Sequence, residues 1–252
     1  IVAADYHKLT PSKETEELMN TYLGFMRTAQ RKSGTFANII SYNRKKDTTK
    51  DEDVQGRAIL ALGTIASRSY LPKAIQKQAK TMLKNVTQII PTLSSPRAIA
   101  FSLTGLHAYL NNEKNIQLTK IFNNLAEKQI THHKQVSAKN WDWFEDNLTY
   151  SNSKLPESLY YAHNITKKKK YLDTAERTLN FLSQITFENN GYTPIGQNGW
   201  YFRNMARAYY DQQPEDTASM VETKLTAYKT TKHKHQKTNP TNKPHANISN
   251  GK

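Results

Sequence analysis

The chain of 252 residues contains no cysteine. This absence excludes disulfides, thiolate metal sites and cysteine nucleophiles. Glycine and proline are also scarce, with 9 of each, as is typical of long helices joined by a few structured loops. No apolar run approaches the ~20 residues of a membrane span, so no membrane partner is expected. No signal peptide is visible in these residues. The sequence therefore favours a cytoplasmic protein and leaves a periplasmic location open.

Positive charge, in contrast, is abundant. Lys and Arg number 36 against 21 Asp and Glu, which gives a formal net charge of +15. Part of this excess lies after Thr231, at Lys232, Lys234, Lys237, Lys243 and Lys252, and much of the rest is dispersed along the chain. The dispersion favours a solvated basic surface over a nucleic-acid partner, and a polyanion-binding surface is the alternative.

Apolar residues recur at helical spacing through most of the chain, as at Leu18, Tyr22 and Phe25. Helices are predicted over residues 14–30, 54–67, 73–90, 97–110, 115–130, 155–162, 169–185, 200–210 and 215–230. Almost no stretch alternates as a strand does. The sequence therefore predicts an all-α domain of antiparallel helical hairpins over residues 1–231, followed by a disordered basic tail over 232–252.

The segment 140–150 combines two of the three tryptophans with three carboxylates. An aromatic face stacks on the C–H face of a sugar ring, and carboxylates accept hydrogen bonds from its hydroxyls. Trp141 and Trp143, with the neighbouring Glu145 and Asp146, therefore predict a sugar-binding loop. The alternative is that the rings anchor the loop in the core and the acids cap the next helix.

A second segment is the glycine-rich stretch 191–200, which contains Gln197 and Trp200 and is followed by Asp211-Gln212-Gln213-Pro214. Glycine permits positive φ and close approach to a ligand. Proline suits the first turn of a helix, so the three polar residues before it are expected at a helix start, where they can bind hydroxyls. The alternative is that Asp211 only caps that helix.

A third segment is Asp51-Glu52-Asp53, placed just before a helix that carries Arg57 one turn later. Acids at this position stabilise the positive end of a helix, which is a sufficient structural reason for them. The functional alternative gives Glu52 or Asp53 a sugar hydroxyl or a proton to transfer, with Arg57 as the ion-pair partner.

Other kinds of site fail on spacing. The stretch from Gly191 to Gln197 lacks the Lys-Ser/Thr of a phosphate-binding loop. His132-His133 has no partner at metal-ligand spacing, so a surface pair is expected. We therefore expect no metal site and no cofactor.

Taken in order, these segments resemble a bacterial family, the helical six-hairpin glycosidase-like domain found alone or fused behind glycosyltransferases. The tryptophan motif is the specific part of this resemblance, which covers roughly residues 1–230. The matching residues are Glu52-Asp53, Gly56-Arg57-Ala58, Ser95-Pro96-Arg97-Ala98, Trp141 through Pro156, Pro194-Ile195-Gly196, Arg207-Ala208 and Asp211 through Pro214.

The resemblance implies an incomplete (α/α)6 toroid, because the family's opening Gly-Tyr-x-Thr-Asp-Asp segment and its last hairpin have no counterpart in this sequence. On this basis we expect a chain truncated at both ends. The resemblance also implies a glycan or oligosaccharide as ligand and a glycosyltransferase as a protein partner.

Three functions remain open: a glycan-processing domain that uses paired carboxylates, a non-catalytic sugar-binding or accessory module of a glycosyltransferase, and a basic helical scaffold for acidic partners. The catalytic candidates are Asp53, Glu145, Asp146 and Asp211, with Glu145 preferred as the acid because the neighbouring rings of Trp143 and Phe144 would exclude water from it. The substrate-binding candidates are Trp141, Trp143, Arg57, Arg97, Asn152, Gln197, Trp200, Gln212 and Gln213. One shared concavity is expected to hold Asp53, Trp143, Glu145, Asp146, Gln197 and Asp211.

Overall fold

The computed structural model describes residues 1–188 and 191–231, so the predicted tail over 232–252 lies outside the described residues. The helices in the described part are α1 (Val2–Leu9), α2 (Lys13–Ala29), α3 (Glu52–Ser67), α4 (Lys73–Val86), α5 (Pro96–Leu110), α6 (Ile116–Val136), α7 (Lys154–Thr166), α8 (Lys169–Thr186) and α9 (Pro214–Thr231). A 3-10 turn, Ile90–Thr92, follows α4. The strands are β1 (Asn147–Leu148), β2 (Phe187–Glu188), β3 (Gly191–Tyr192) and β4 (Tyr201–Phe202), which pair antiparallel as β1 with β4 and β2 with β3.

Side-chain caps fix the starts of several helices. Asp51 accepts a hydrogen bond from the backbone N–H of Asp53 at 2.9 Å and so begins α3. Ser95 and Asn115 each accept one from the N–H three residues later, at the starts of α5 and α6. Such a cap satisfies a backbone donor that the helix itself leaves free and stabilises the helix by about 1 kcal/mol.

The helices form two layers. The inner layer is the succession α3, α5, α7 and α9, in which each helix packs on the next. Within the outer layer, α4, α6 and α8 each pack on the inner helix that precedes them, giving hairpins α3–α4, α5–α6 and α7–α8, while α1 and α2 form another hairpin. An amphipathic outer helix such as α4 buries Ile75, Ala79 and Met82 and turns Lys77 and Lys84 outward.

Glycines allow α3 and α5 to lie unusually close together. A Cβ added to Gly56 would lie 2.7 Å from the backbone of Ala98, and one added to Gly105 would lie 2.4 Å from the backbone oxygen of Ile59. Both distances are too short for any side chain. The Gly56-Arg57-Ala58 and Arg97-Ala98 motifs of the sequence therefore meet each other at this helix crossing.

The prediction of an all-α stack of antiparallel hairpins is confirmed in the described part of the chain. One predicted helix, over residues 200–210, is wrong. Trp200 and Asn204 have φ of 55° and 63°, which an α-helix does not admit. The side chain of Arg207 also donates to the backbone oxygens of Ile185, Thr193 and Pro194, which ties this stretch to the preceding loop instead of to a helical turn.

Two further differences concern the ends of helices. The predictions contained no counterpart of α1, and α6 continues to Val136 instead of ending near residue 130. The longer α6 contradicts the expectation that His132-His133 is a surface pair. His133 is only 5% exposed, and its Nε2 lies 2.6 Å from Oδ1 of Asp142.

Candidate functional site

The N-terminal ends of the four inner helices meet at one end of the molecule, which we call the mouth. Glu52 at the start of α3 accepts hydrogen bonds from the backbone N–H groups of Ser94 and Ser95, just before α5, at 2.7 and 2.6 Å. Ser151, just before α7, donates its N–H at 2.7 Å to Oδ1 of Asp216 in the first turn of α9. Helices that share such contacts present their positive ends to a common surface, which suits polar ligands.

Glu52 therefore connects the start of α3 to the start of α5 at the mouth. Burial opposes the charge of its carboxylate, but the hydrogen bonds from Ser95 and Ser94 outweigh it, and its pKa is held below the usual range. Of the two acids to which the sequence analysis gave a functional alternative, Asp53 remains the candidate.

Arg97 connects α5 to the loop before α7. Its guanidinium donates to Oε2 of Glu145 at 2.5 Å, to Oδ1 of Asn152 at 3.2 Å and to the backbone oxygen of Tyr150 at 2.8 Å. The Arg97 side chain is only 7% exposed, so the ion pair with Glu145 lies largely out of water. Arg97 and Asn152, both predicted to bind substrate, instead hold the loop that ends at α7.

An aromatic pair lies over this cluster. The rings of Tyr150 and Trp200 are 6.3 Å apart between centroids, and both residues are half-buried. Oδ2 of Asp53 accepts a hydrogen bond from Arg57 at 2.7 Å, and the guanidinium of Arg57 lies 5.8 Å from the centre of the Tyr150 ring. Burial, together with the negative charge of Asp53, raises the pKa of the Tyr150 hydroxyl. A partly exposed ring offers an apolar face, and a carboxylate beside it accepts hydrogen bonds from hydroxyl groups.

The two tryptophans of the specific motif lie in the core instead of at the mouth. Trp143 is 0% exposed and Trp141 is 3% exposed, and both rings pack against Phe181 of α8. The indole N–H of Trp141 donates to the backbone oxygen of Glu145 at 2.6 Å. Their predicted stacking on a sugar is corrected here, because neither ring has a free face, and the alternative of a loop anchored in the core holds.

Each of the three acids in this motif has its own arginine. Glu145 pairs with Arg97, Asp142 accepts two hydrogen bonds from Arg177 on α8, and Asp146 lies 3.5 Å from Arg203 beyond β4. The acids thus point in three different directions. Asp146, with its side chain 74% exposed, lies apart from the cluster around Arg97. The preferred acid, Glu145, positions Arg97 instead of standing between exposed rings.

The glycine-rich stretch is held to the residues before α9 by its backbone. The N–H of Gln197 donates to the backbone oxygen of Asp211 at 3.1 Å, and the side chain of Gln213 donates to that of Gln197 at 2.6 Å. Asp211 has φ of 59° and is exposed, as is Gln212. Gln197, Asp211 and Gln213 thus form one exposed polar group, connected to the mouth through Trp200 in the same loop and through the start of α9.

Asp216 was missed by the sequence analysis. It is 2% exposed, and its Oδ2 is buried without a hydrogen-bond partner. Burial, followed by the nearby charge of Glu215, raises the pKa of Asp216 to about 6. An acidic residue two positions after a helix-starting proline normally stabilises a helix end from the surface, so the sequence carried no sign that this one is buried.

The residues expected in one concavity are therefore divided. Asp53 and Glu145 adjoin the cluster of Arg97 and Tyr150, while Gln197 and Asp211 form the neighbouring polar group. Trp143 is excluded by its burial, and Asp146 points elsewhere. Among residues 1–188 and 191–231, no three potential metal-ligating acids or histidines come together. Within the same residues no helix has the length and apolar character needed to cross a membrane.

No protein-family model matches the chain, and no curated protein matches it. Two solved structures have similar folds. An unsaturated glucuronyl hydrolase specific for heparin matches with a TM-score of 0.59 and 16% identity over 85% of this chain and 61% of that one. An inactive variant of an α-1,6-mannanase of Salegentibacter sp. HEL1_6, in complex with alpha-1,6-mannotetrose, matches with a TM-score of 0.63 and 11% identity over 87% of this chain and 66% of that one.

These likenesses show the fold. The chain has the (α/α) architecture of the six-hairpin toroids, as the family resemblance implied, and it covers 61% and 66% of the lengths of the two neighbours.

Proposed function

We propose that the mouth binds an oligosaccharide and cleaves a glycosidic bond with a pair of carboxylates. The supporting observation is the group formed by Asp53, Tyr150 and Trp200 at the N-terminal ends of the inner helices. It places a carboxylate beside the partly exposed ring of Tyr150, which itself adjoins the ring of Trp200, in a fold that two glycoside hydrolases share. Catalysis of this kind needs one acid to protonate the departing oxygen and a second carboxylate to activate water or attack the sugar.

Asp53 and Asp211 are the pair that we assign to this chemistry. Asp53 is held by Arg57 at the first turn of α3, and a fixed position is what a nucleophile or base requires. Asp211 is exposed beside Gln197, so its carboxyl is accessible to a sugar. Glu145 is engaged by the buried Arg97, so in this proposal it holds the loop, and Asp146 lies apart from the cluster around Tyr150.

A turnover assay tests the proposal. The substrates are α-1,6-linked mannooligosaccharides and oligosaccharides that end in an unsaturated uronate, the chemistries named for the two structural neighbours. We expect one of them to be hydrolysed, and Asp53→Asn, which keeps the shape of the side chain, to lower turnover by ~100-fold or more while binding persists. Asp146→Asn is the matched control. Equal turnover by Asp53→Asn and the unmodified protein would overturn the assignment.

A second function, a sugar-binding module without catalysis, is favoured by one observation. Three of the four candidate carboxylates, Asp53, Glu145 and Asp146, already pair with arginines. Binding of an oligosaccharide at the mouth without turnover of any substrate in the assay would select this function. The glycosyltransferase partner belongs with this second function and rests on the family resemblance alone, since neither structural neighbour is described as a glycosyltransferase.

A further inference from the structure

Two grooves meet at Asn115, the cap of α6, on the outer side of the hairpins between α4 and α6. One has a volume of about 390 Å³ and is lined on the α4 side by Lys80 and Lys84. The other, of about 280 Å³, is lined by Lys114 and Lys120. Because Asn115 borders both, they form one continuous depression, which we call the α4–α6 trough.

Positive charge along the trough is nearly unopposed. The helix α4 carries lysines at Lys73, Lys77, Lys80 and Lys84 and no acid, and their spacing of 4, 3 and 4 residues places them along one face. Of the residues that line the two grooves, Glu113 alone is acidic, and it is already occupied by Lys80 and by the Tyr109 hydroxyl. Hydrogen bonds from these two partners hold the pKa of Glu113 below its usual range.

Lys84, Lys114 and Lys120 are exposed and enter no ion pair found among the described residues. This separates them from other cations of the molecule, such as Arg97, Arg203 and Lys170, which pair with acids. Several like charges that face one groove raise the local potential and attract an anion more strongly than the same charges dispersed over a surface.

Beside the charged residues the lining mixes polar and apolar side chains, and it lacks a stacking platform. The polar ones are the hydroxyls and amides of Thr87, Gln88, Asn115, Gln117 and Thr119. Among the apolar ones, Ile116 is 78% exposed, while Leu83 and Leu118 are buried. Tyr109 is the aromatic residue among the linings, but it is 9% exposed and its hydroxyl is bonded to Glu113. Single-stranded nucleic acid is bound largely by stacking of bases on exposed rings, which this depression does not offer.

We propose that the α4–α6 trough is a docking site for an anionic polysaccharide, with its carboxylate or sulfate groups on the lysines, its hydroxyls on the polar lining residues and a C–H face on Ile116. The trough lies between α4 and the start of α6, on the outer layer, whereas the mouth is formed by the starts of the inner helices. Along α5, Tyr109 at the trough and Arg97 at the mouth are separated by roughly 18 Å of helix. The proposal rests on charge and shape at the trough and holds whether or not the mouth cleaves a bond.

The test compares two triple variants of the whole chain. The trough variant is Lys84→Gln/Lys114→Gln/Lys120→Gln. The control variant is Lys32→Gln/Lys45→Gln/Lys134→Gln, which changes the net charge equally at exposed positions elsewhere. Both retain the basic residues after Thr231. The probe is a size-defined heparin oligosaccharide, with binding measured by calorimetry at two salt concentrations and with neutral dextran and single-stranded DNA in parallel.

We expect the trough variant to bind the heparin oligosaccharide about tenfold more weakly or worse, with a shallower dependence on salt, and the control variant to bind within about twofold of the unmodified protein. Dextran should not bind at the trough. Equal losses in both variants would show that the charge acts diffusely and would overturn the proposal. DNA binding as tight as heparin binding, and equally sensitive to these three lysines, would overturn it in favour of a nucleic-acid surface.

Discussion

Two segments of this chain are built from similar residues and are used in opposite ways. Residues 141–152 are rich in tryptophan and acids, and apart from the half-buried Tyr150 their rings are almost fully buried. Residues 196–213 also combine aromatic, acidic and amide side chains, but Gln197 and Asp211 are exposed and Trp200 is half-buried. The first segment holds the molecule together at the mouth, and the second presents groups to solvent there.

The difference shows that composition alone does not separate a binding loop from an anchor. What decides is the neighbour that each ring meets. Trp141 and Trp143 meet Phe181 of α8, with ring centroids 5.3 and 6.0 Å apart. Trp200 meets Tyr150, which is itself partly exposed. Substitutions in the two segments should therefore separate effects on stability from effects on sugar binding.

The largest effect is expected from truncating the buried ring. Trp143→Ala should lower the free energy of unfolding by ~3–5 kcal/mol, because it removes a fully buried aromatic side chain and leaves a cavity. Denaturant unfolding measures this loss. Sugar affinity per folded molecule should stay unchanged.

The matching substitution in the second segment is Trp200→Ala. It should cost less than ~1.5 kcal/mol in stability, since Trp200 is only half-buried, and weaken oligosaccharide binding by roughly tenfold through loss of a stacking face. Reversed results, with Trp143→Ala affecting affinity and Trp200→Ala affecting stability, would contradict the comparison of the two segments.

The second effect concerns the ion pair that anchors the first segment. Arg97→Met leaves the carboxylate of Glu145 largely out of water without its cation, and we expect a loss of about 3 kcal/mol in the free energy of unfolding. The double variant Arg97→Met/Glu145→Leu removes both charges and should recover most of that loss. A double variant as unstable as Arg97→Met would show that the hydrogen bonds from Arg97 to Tyr150 and Asn152 matter more than the ion pair.

The sequence was sufficient for the helices because their apolar periodicity repeats over many turns. It located α3, α5 and α8 within two residues of their ends. For α3 and α5, the capping residues Asp51 and Ser95 are of types that favour helix starts. It failed over residues 200–210 because the conformation there depends on Arg207, whose partners are backbone oxygens of a distant loop. No local pattern encodes such contacts.

The candidate site was predicted only in part, for a related reason. The sequence identified Asp53 and Arg57, which lie beside Tyr150. It also named Arg97 and Asn152, which lie in the same cluster but hold the loop before α7. Whether an acid forms an ion pair depends on arginines that are distant in the sequence. Arg177 and Arg203, for example, follow Asp142 and Asp146 by 35 and 57 residues. Pairing at such separations is a property of the packed hairpins and cannot be deduced from spacing.

The third effect appears as a dependence on pH where the two segments meet. Asp216 binds its proton more tightly in the folded protein, with a pKa of about 6 against 3.8 for the free group. The folded state therefore holds more protons than the unfolded state between these values, and this contribution to stability falls as pH rises from about 4 to about 6. The two pKa values differ by about 2, which corresponds to at most ~3 kcal/mol.

Replacing Asp216 with the neutral amide Asn removes this pH-dependent contribution to stability. Asp216→Asn should be more stable relative to the unmodified protein at pH 8 than at pH 4, by about 2 kcal/mol. Other carboxylates, such as Asp142, have lowered pKa values and act in the opposite direction in both proteins, so the difference between the two pH profiles isolates Asp216. A difference that is constant across pH 4–8 would contradict the raised pKa.

The smallest effect is expected at Asp146, the acid of the first segment that is most exposed. Its side chain is 74% exposed and its Oδ1 lies 3.5 Å from Nη1 of Arg203, so the pair is well solvated and weak. Asp146→Asn should change the free energy of unfolding by less than ~0.5 kcal/mol and leave both sugar binding and any turnover unchanged. Its neighbour Glu145, one residue earlier, provides the contrast: Glu145→Gln should weaken the hold on Arg97 and lower stability measurably. A loss of turnover in Asp146→Asn at unchanged stability would instead show that Asp146 is catalytic. The first segment would then contribute to the site as well as anchor the loop.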